Sequence, residues 1–212
     1  MHHTIFTIGH SNRTFAEFTE CLHHNDVDMI IDVRKLPGSR SNPQFDRDTL
    51  EEGLSRLGIA YHHMAALGGR RPRSPSVPPE VNGFWENRSF HHYADYALSG
   101  EFSDGLARLR AWAADGRIAV MCSEAVWWRC HRRIITDHLL AYGDHVIHIM
   151  APDRTEPARP TPGAVMQPEQ PVTYPHGDRK ELSPHRSFSS DDQKHGALTD
   201  WVSMSPKTTV AR

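Results

Sequence analysis

Residues 118–133 read Ile-Ala-Val-Met-Cys-Ser-Glu-Ala-Val-Trp-Trp-Arg-Cys-His-Arg-Arg. They gather two of the chain's three cysteines with a histidine, a glutamate and three arginines. A short apolar run stops at Cys122, and a pattern with helical spacing starts near Trp128. A thiol between a strand end and a helix start can be ionised by the helix N-terminus, where backbone N–H groups also attract anions. Cys122 is therefore the first candidate for a nucleophilic or redox thiol; its alternative is a small buried strand-end residue. Six residues separate Cys122 from Arg129, so the spacing of a thiolate-phosphatase loop is absent. Cys130 is expected in the first helical turn, where its thiolate would feel the dipole. Cys130 and His131 also head apolar helical edges and could simply pack.

Other reactive types stand just after apolar runs. Gly9, His10 and Ser11 follow Thr4–Ile8. Asp32 and Arg34 mark the end of Met29–Val33, with Ser39 and Arg40 in the loop beyond. Arg34 and Arg40 suit a bidentate clamp on phosphate or carboxylate oxygens. Ser123 and Arg132 extend the polar set, and His10 or His131 would move a proton. Asp32 could orient His10, or pair with Arg34 as a buried ion pair. Glu124 is a candidate base, with helix capping as the alternative. Trp127 and Trp128 offer stacking or packing. A metal site is a further alternative, with Cys122, Cys130 and His131 as candidate ligands beside His10 and His148. Against it, neighbours on a helix point ~100° apart, and no Cys-x-x-Cys or His-x-x-x-His pair supports them.

These groups can meet only if the elements bring them together. Thr4–Ile8 reads as a strand. Thr14 with Glu17 forms a capping box ahead of the helical spacing of Phe15, Phe18, Cys21 and Leu22. Met29–Val33 is the second strand, and strand–helix–strand in about thirty residues implies a parallel sheet. Helices are expected over 46–57, 90–98, 102–114 and 128–142, the last stopped by Gly143. Further strands are expected over 60–64, 117–122 and 145–150. The expected fold is a Rossmann-like, three-layer α/β domain with a mostly parallel sheet of about five strands. Ligands bind such sheets outside the carboxyl ends of the strands. Residues just after strands one, two and four should therefore converge.

Nine of the fifteen prolines follow Met150, and 151–212 shows no sustained apolar period. The expected division is a folded domain over 1–150 and a Pro-rich, disordered or loosely docked tail over 151–212. Residues 1–150 hold 16 Lys+Arg against 18 Asp+Glu, and the tail holds 8 of each. Neither half is a polycation, which argues against a large nucleic-acid footprint. Local basic clusters remain at Arg70-Arg71-Pro72-Arg73 and around Arg129. Three unevenly spaced cysteines make no disulfide scaffold, and no apolar run is long enough for a membrane span. A cytoplasmic protein with reduced thiols is expected.

Several separated pieces match one pattern: Thr7-Ile-Gly-His-Ser11; Asp32-Val-Arg34 with Pro37, Ser39 and Arg40; Leu67-Gly-Gly69; Met121-Cys-Ser-Glu124; Cys130-His-Arg132; and His148-Ile149. In this the chain resembles the DUF488 family of small α/β proteins, over about Thr4 to Met150. Ser123 stands where the family pattern has Ala, and Val126-Trp-Trp128 occupies the stretch where Pro is usual. The resemblance implies a fold more firmly than a reaction.

The sequence thus points to a thiol-dependent transferase or hydrolase acting on a phosphate-bearing or nucleotide-like anion, with Cys122 as its sulfur. The alternatives are a nucleic-acid-binding accessory protein, gripping through residues 68–73 and 127–133, or a Cys/His metal-binding protein. Cofactor and oligomeric state are not determined.

Overall fold

A computed structural model describes residues 2–39, 41–167 and 170–176. The chain begins with strand β1 (Thr4–Gly9), helix α1 (Phe15–His24) and strand β2 (Met29–Asp32). Helix α2 (Arg47–Ser55) and strand β3 (Ala60–His63) follow, then helices α3 (Arg88–Tyr96) and α4 (Gly100–Asp115). Strand β4 (Ile118–Cys122), helix α5 (Arg132–Ala141) and strands β5 (His145–Ala151) and β6 (Arg154–Pro157) complete it. The sheet order is β3-β2-β4-β1-β5-β6. Neighbours among the first five strands run parallel, and β6 pairs antiparallel with β5.

Period-2 alternation sends neighbouring strand residues to opposite faces. Ile5, Ile31, Ile118 and Val120 pack with Tyr93, Phe102, Leu106, Ile134 and Leu139 from α3, α4 and α5. Phe6, Ile8, Ile30, Ala119 and Met121 pack with Phe18, Leu22, Leu50 and Leu54 from α1 and α2. The result is the Rossmann-like three-layer α/β fold.

Local chemistry sets the helix starts. The Thr14–Glu17 capping box forms in both directions. Asn87 and Ser99 accept backbone N–H bonds at the heads of α3 and α4. Gly143, at φ +81°, ends α5 in a conformation that L side chains rarely adopt.

Two expectations are corrected. The helix expected over 128–142 starts later: Trp127–Arg129 is a single 3₁₀ turn, Cys130 is extended (φ −121°, ψ 149°), and α5 begins at Arg132. The cause is Arg132, 1% exposed, around whose guanidinium residues 124–130 wrap. Its Nη2 donates to the Glu124 carbonyl at 2.5 Å and its Nε to the Cys130 sulfur at 3.4 Å.

The boundary expected at residue 150 also moves. β5 runs on to Ala151, and β6 adds a sixth strand. Val172 and Tyr174 are fully buried. The Thr161 N–H and the Tyr174 hydroxyl both donate to the Asp137 carboxylate, at 2.9 and 2.8 Å. Residues 151–167 and 170–176 are therefore part of the packed domain, held by backbone pairing and buried polar bonds rather than by an apolar period. The remainder of the expected tail, 177–212, lies outside the described residues. No helix among the described residues is long and apolar enough to cross a membrane.

Candidate functional site

The carboxyl ends of β1, β2 and β4 are joined by backbone hydrogen bonds that outlast the strands. His10 N–H donates to the Cys122 carbonyl at 2.9 Å, Ser11 N–H to Ser123 at 3.0 Å, and Val33 N–H to Met121 at 2.9 Å. This brings His10, Arg34, Ser39, Cys122, Ser123, Glu124, Cys130 and His131 around one cavity of about 390 Å³. The convergence expected from the parallel topology is present. Arg40 lies outside the described residues.

Four expected residues stand behind the cavity. A Cβ on Gly9 would lie 2.0 Å from the Glu124 carbonyl oxygen, so only glycine lets β1 pass this close to the loop. Ser11 sits at φ +52° and its carbonyl accepts the His10 Nδ1–H at 2.8 Å. Asp32 is fully buried. Its carboxylate takes Arg34 Nη2 at 2.6 Å, Arg34 Nε at 2.9 Å and the Tyr61 hydroxyl at 2.7 Å. Arg132 is buried behind Cys130.

Arg34 is thereby engaged. Its Nη1 donates to the Phe45 carbonyl at 2.7 Å and faces His10 Nε2 at 3.4 Å. The guanidinium touches the cavity but serves a buried ion pair, the alternative reading of Asp32. Ser39 is likewise part of a turn, its hydroxyl accepting the Asn42 N–H at 3.1 Å. His10 stacks on Phe45 at 4.1 Å, and burial lowers its pKa to about 4. Glu124 is half-buried at the cavity and does not cap α5, which starts eight residues on.

The chemically rich group is Cys122, Cys130 and His131, whose ligand atoms all lie within 4.8 Å of one another. Both sulfurs are buried free thiols. His131 Nε2 lies 3.1 Å from the Val33 carbonyl, which can only accept, so Nε2 carries the hydrogen. In the neutral ring Nδ1 then presents a lone pair, 3.6 Å from the Cys130 sulfur. A Cβ on Gly69 would lie 2.9 Å from that Nδ1, so the glycine packs against the imidazole and holds its position.

The two thiols titrate in opposite directions. A hydrogen bond to Cys130, joined by burial, pushes the Cys122 thiol up to about 12. Burial also pushes Cys130 up, but the Cys122 hydrogen bond and the Arg132 charge outweigh it and hold Cys130 at about 6. The Arg132 guanidinium stands beside the Cys130 sulfur and favours its thiolate. The same three donors could hold a soft divalent cation with a coordination position left open. The objection that Cys130 and His131 diverge on a helix falls, because Cys130 precedes the helix.

Residues that reading for chemistry missed also line the cavity: Lys35, Gly69, Arg70, Phe90, Tyr93 and Arg129. The basic clusters at 70–73 and around 129 were the signal for the two arginines. Arg71 is committed elsewhere, to the Ala65 and Gly68 carbonyls and the Tyr96 ring. Trp127 stacks on His148 at 4.3 Å, while Trp128 is 44% exposed.

Fold and site together define a Rossmann-like α/β domain with a cysteine-bearing crevice at the carboxyl edge of its sheet. The family model for DUF488, a domain of unknown function, matches residues 14–139, more than half of the chain. The chain belongs to the DUF488 family. No curated protein and no solved structure matches it.

Proposed function

We propose that this protein is a thiol-dependent enzyme whose reactive sulfur is Cys130 and whose substrate is a phosphate-bearing or nucleotide-like anion. One observation carries the reading. Arg132 is 1% exposed, and among the described residues no carboxylate pairs with it. Buried charges are costly unless paired. The Cys130 sulfur, 3.4 Å from Nε, is the group able to supply the counter-charge. A thiolate there neutralises Arg132 with Cys122 still protonated. A divalent cation held by two thiolates would leave these groups with a net positive charge.

The cavity suits an anion. Lys35, Arg70 and Arg129 line it and, unlike Arg34, are exposed. The Phe90 ring offers a stacking face. In the proposed reaction the Cys130 thiolate attacks the electrophilic atom and displaces the leaving group, which takes a proton from water. The His131 Nδ1 lone pair, beside the sulfur, then accepts the proton of the water that releases the bound group and frees the thiolate. Geometry favours His131 over His10, whose Nε2 faces Arg34.

The test is peptide-resolved alkylation by iodoacetamide. Cys130 should label faster than Cys21 or Cys122 at pH 7, and inorganic phosphate or a nucleoside monophosphate should protect it. A Cys130 that labels no faster than Cys21 in the folded chain would end this reading.

A further inference from the structure

We infer that Cys122 and Cys130 form a dithiol pair that exchanges reversibly with small disulfides and thereby switches the site off. This rests on the reading of Cys130 as the reactive sulfur. The two sulfurs come from different elements, the end of β4 and the extended residue ahead of α5. They lie within 4.8 Å of each other and face one cavity. Cys130 belongs to no helix, so its side chain can turn toward Cys122 without breaking an α-helical ladder. Cys21 packs on the other face of the sheet, among the residues of α1 and α2, and cannot compete.

The roles follow from the neighbours. The Arg132 guanidinium lies 3.4 Å from the Cys130 sulfur and offers it a counter-charge, so Cys130 attacks first, as a thiolate. Its sulfur bonds to one sulfur of a disulfide RSSR, and RS⁻ leaves and takes a proton from water. Cys122 then gives its proton to His131 Nδ1 and attacks the Cys130 sulfur. The Cys122–Cys130 bond forms, and the second RS⁻ leaves with that proton. One disulfide has become two RSH and two cysteines one disulfide, with no other oxidant required. The oxidised pair has no thiolate, so the substrate chemistry stops and Arg132 loses its counter-ion. That loss favours the reduced state, so the bond is readily reduced, as in other pairs whose thiolate is stabilised.

The experiment equilibrates the full chain anaerobically in buffers of reduced and oxidised glutathione, quenches with acid, tags free thiols and maps them by mass. Wild type should show a Cys122–Cys130 peptide pair lacking two hydrogens, with Cys21 tagged, and excess dithiothreitol should reverse it. In Cys122→Ser, glutathione should accumulate on Cys130 at least tenfold above wild type; Cys122→Ala, with folding checked by circular dichroism, should behave alike. A wild type that keeps glutathione on Cys130 without the internal bond overturns this inference and leaves Cys130 as the reactive sulfur. Silence of both sulfurs in the folded chain overturns both readings. Stoichiometric zinc that blocks both until chelated makes them ligands and overturns the switch.

Discussion

Arg132 Nε stands 3.4 Å from Cys130 Sγ in a setting where the arginine is 1% and the cysteine 4% exposed. The charge of one residue thus helps to ionise the other, beside the hydrogen bond from Cys122. Replacing Arg132 by Met removes a contribution that lowers the thiol, so its pKa rises from about 6 toward its ordinary value. The midpoint of the alkylation–pH profile of Cys130 should move upward by at least one pH unit. Arg132→Lys keeps the charge but loses the planar fork to the Glu124 carbonyl and should fall between the two. An unmoved midpoint in both variants would show that Arg132 does not control the sulfur.

Three buried imidazoles make the fold acid-sensitive. Burial lowers His10 and His138 to about 4 and His148 to about 3, the last two assisted only by burial and by the Arg132 charge on His148. Their ordinary value is 6.5, so between pH 6.5 and 4 the unfolded chain binds protons that the folded chain does not. Stability therefore falls as pH falls through that window. At pH 4 each histidine costs on the order of 3 kcal/mol, at about 1.4 kcal/mol per pH unit. Urea midpoints measured from pH 7 to pH 4 should decline steadily, and His138→Phe should flatten the decline. Equal slopes would remove His138 from the account.

Two glycines should separate stability from reactivity. In Gly9→Ala the new methyl meets the Glu124 and Ala125 carbonyl oxygens at 2.0 and 2.8 Å, both backbone, so the strand or loop must shift. A loss of roughly 3 kcal/mol or more is expected, lowering Tm by about 6–12 °C. In Gly69→Ala the methyl meets the side chain of His131 at 2.9 Å. That ring can yield, so stability should fall by only about 1 kcal/mol while the Cys130 alkylation rate changes severalfold. Calorimetry and labelling on the same samples distinguish the two.

The segment after β6 should be part of the folding unit. Tyr174→Phe deletes the hydroxyl that donates to Asp137 at 2.8 Å while leaving the buried ring in place. Removing one partner of a buried hydrogen bond costs about 1–3 kcal/mol. A chain ending at Met150 also loses β6 and the buried Val172, and it should unfold at lower denaturant or fail to fold. A truncated chain as stable as the full one would contradict the packing of β6, Val172 and Tyr174.

Most of the fold was legible because its signals are local. The β-branched runs at Thr4–Ile8, Met29–Val33 and Ile118–Cys122, and the capping box at Thr14 and Glu17, act over a few residues. β6 was not legible. Arg154-Thr-Glu-Pro157 is a polar edge segment with no apolar period, and it is a strand only because β5 offers a free edge. Val172 and Tyr174 likewise show nothing nearby in sequence that foretells their burial.

The site divides along the same line. The alternation of strands and helices determined that the ends of β1, β2 and β4 would share an edge, and with them His10, Arg34 and Cys122. Which groups are free to react was decided in three dimensions. Arg34 is an anion clamp by residue type but is held by Asp32 and the Phe45 carbonyl. Cys122 stands at the expected strand end, yet the buried Arg132 guanidinium lies against the Cys130 sulfur. The reason is that spacing along a chain sets what can be near, whereas ionisation answers to burial and to charges through space. Arg132 was a candidate by residue type, but its burial against Cys130, in a loop that delays α5, appears only once the chain has folded.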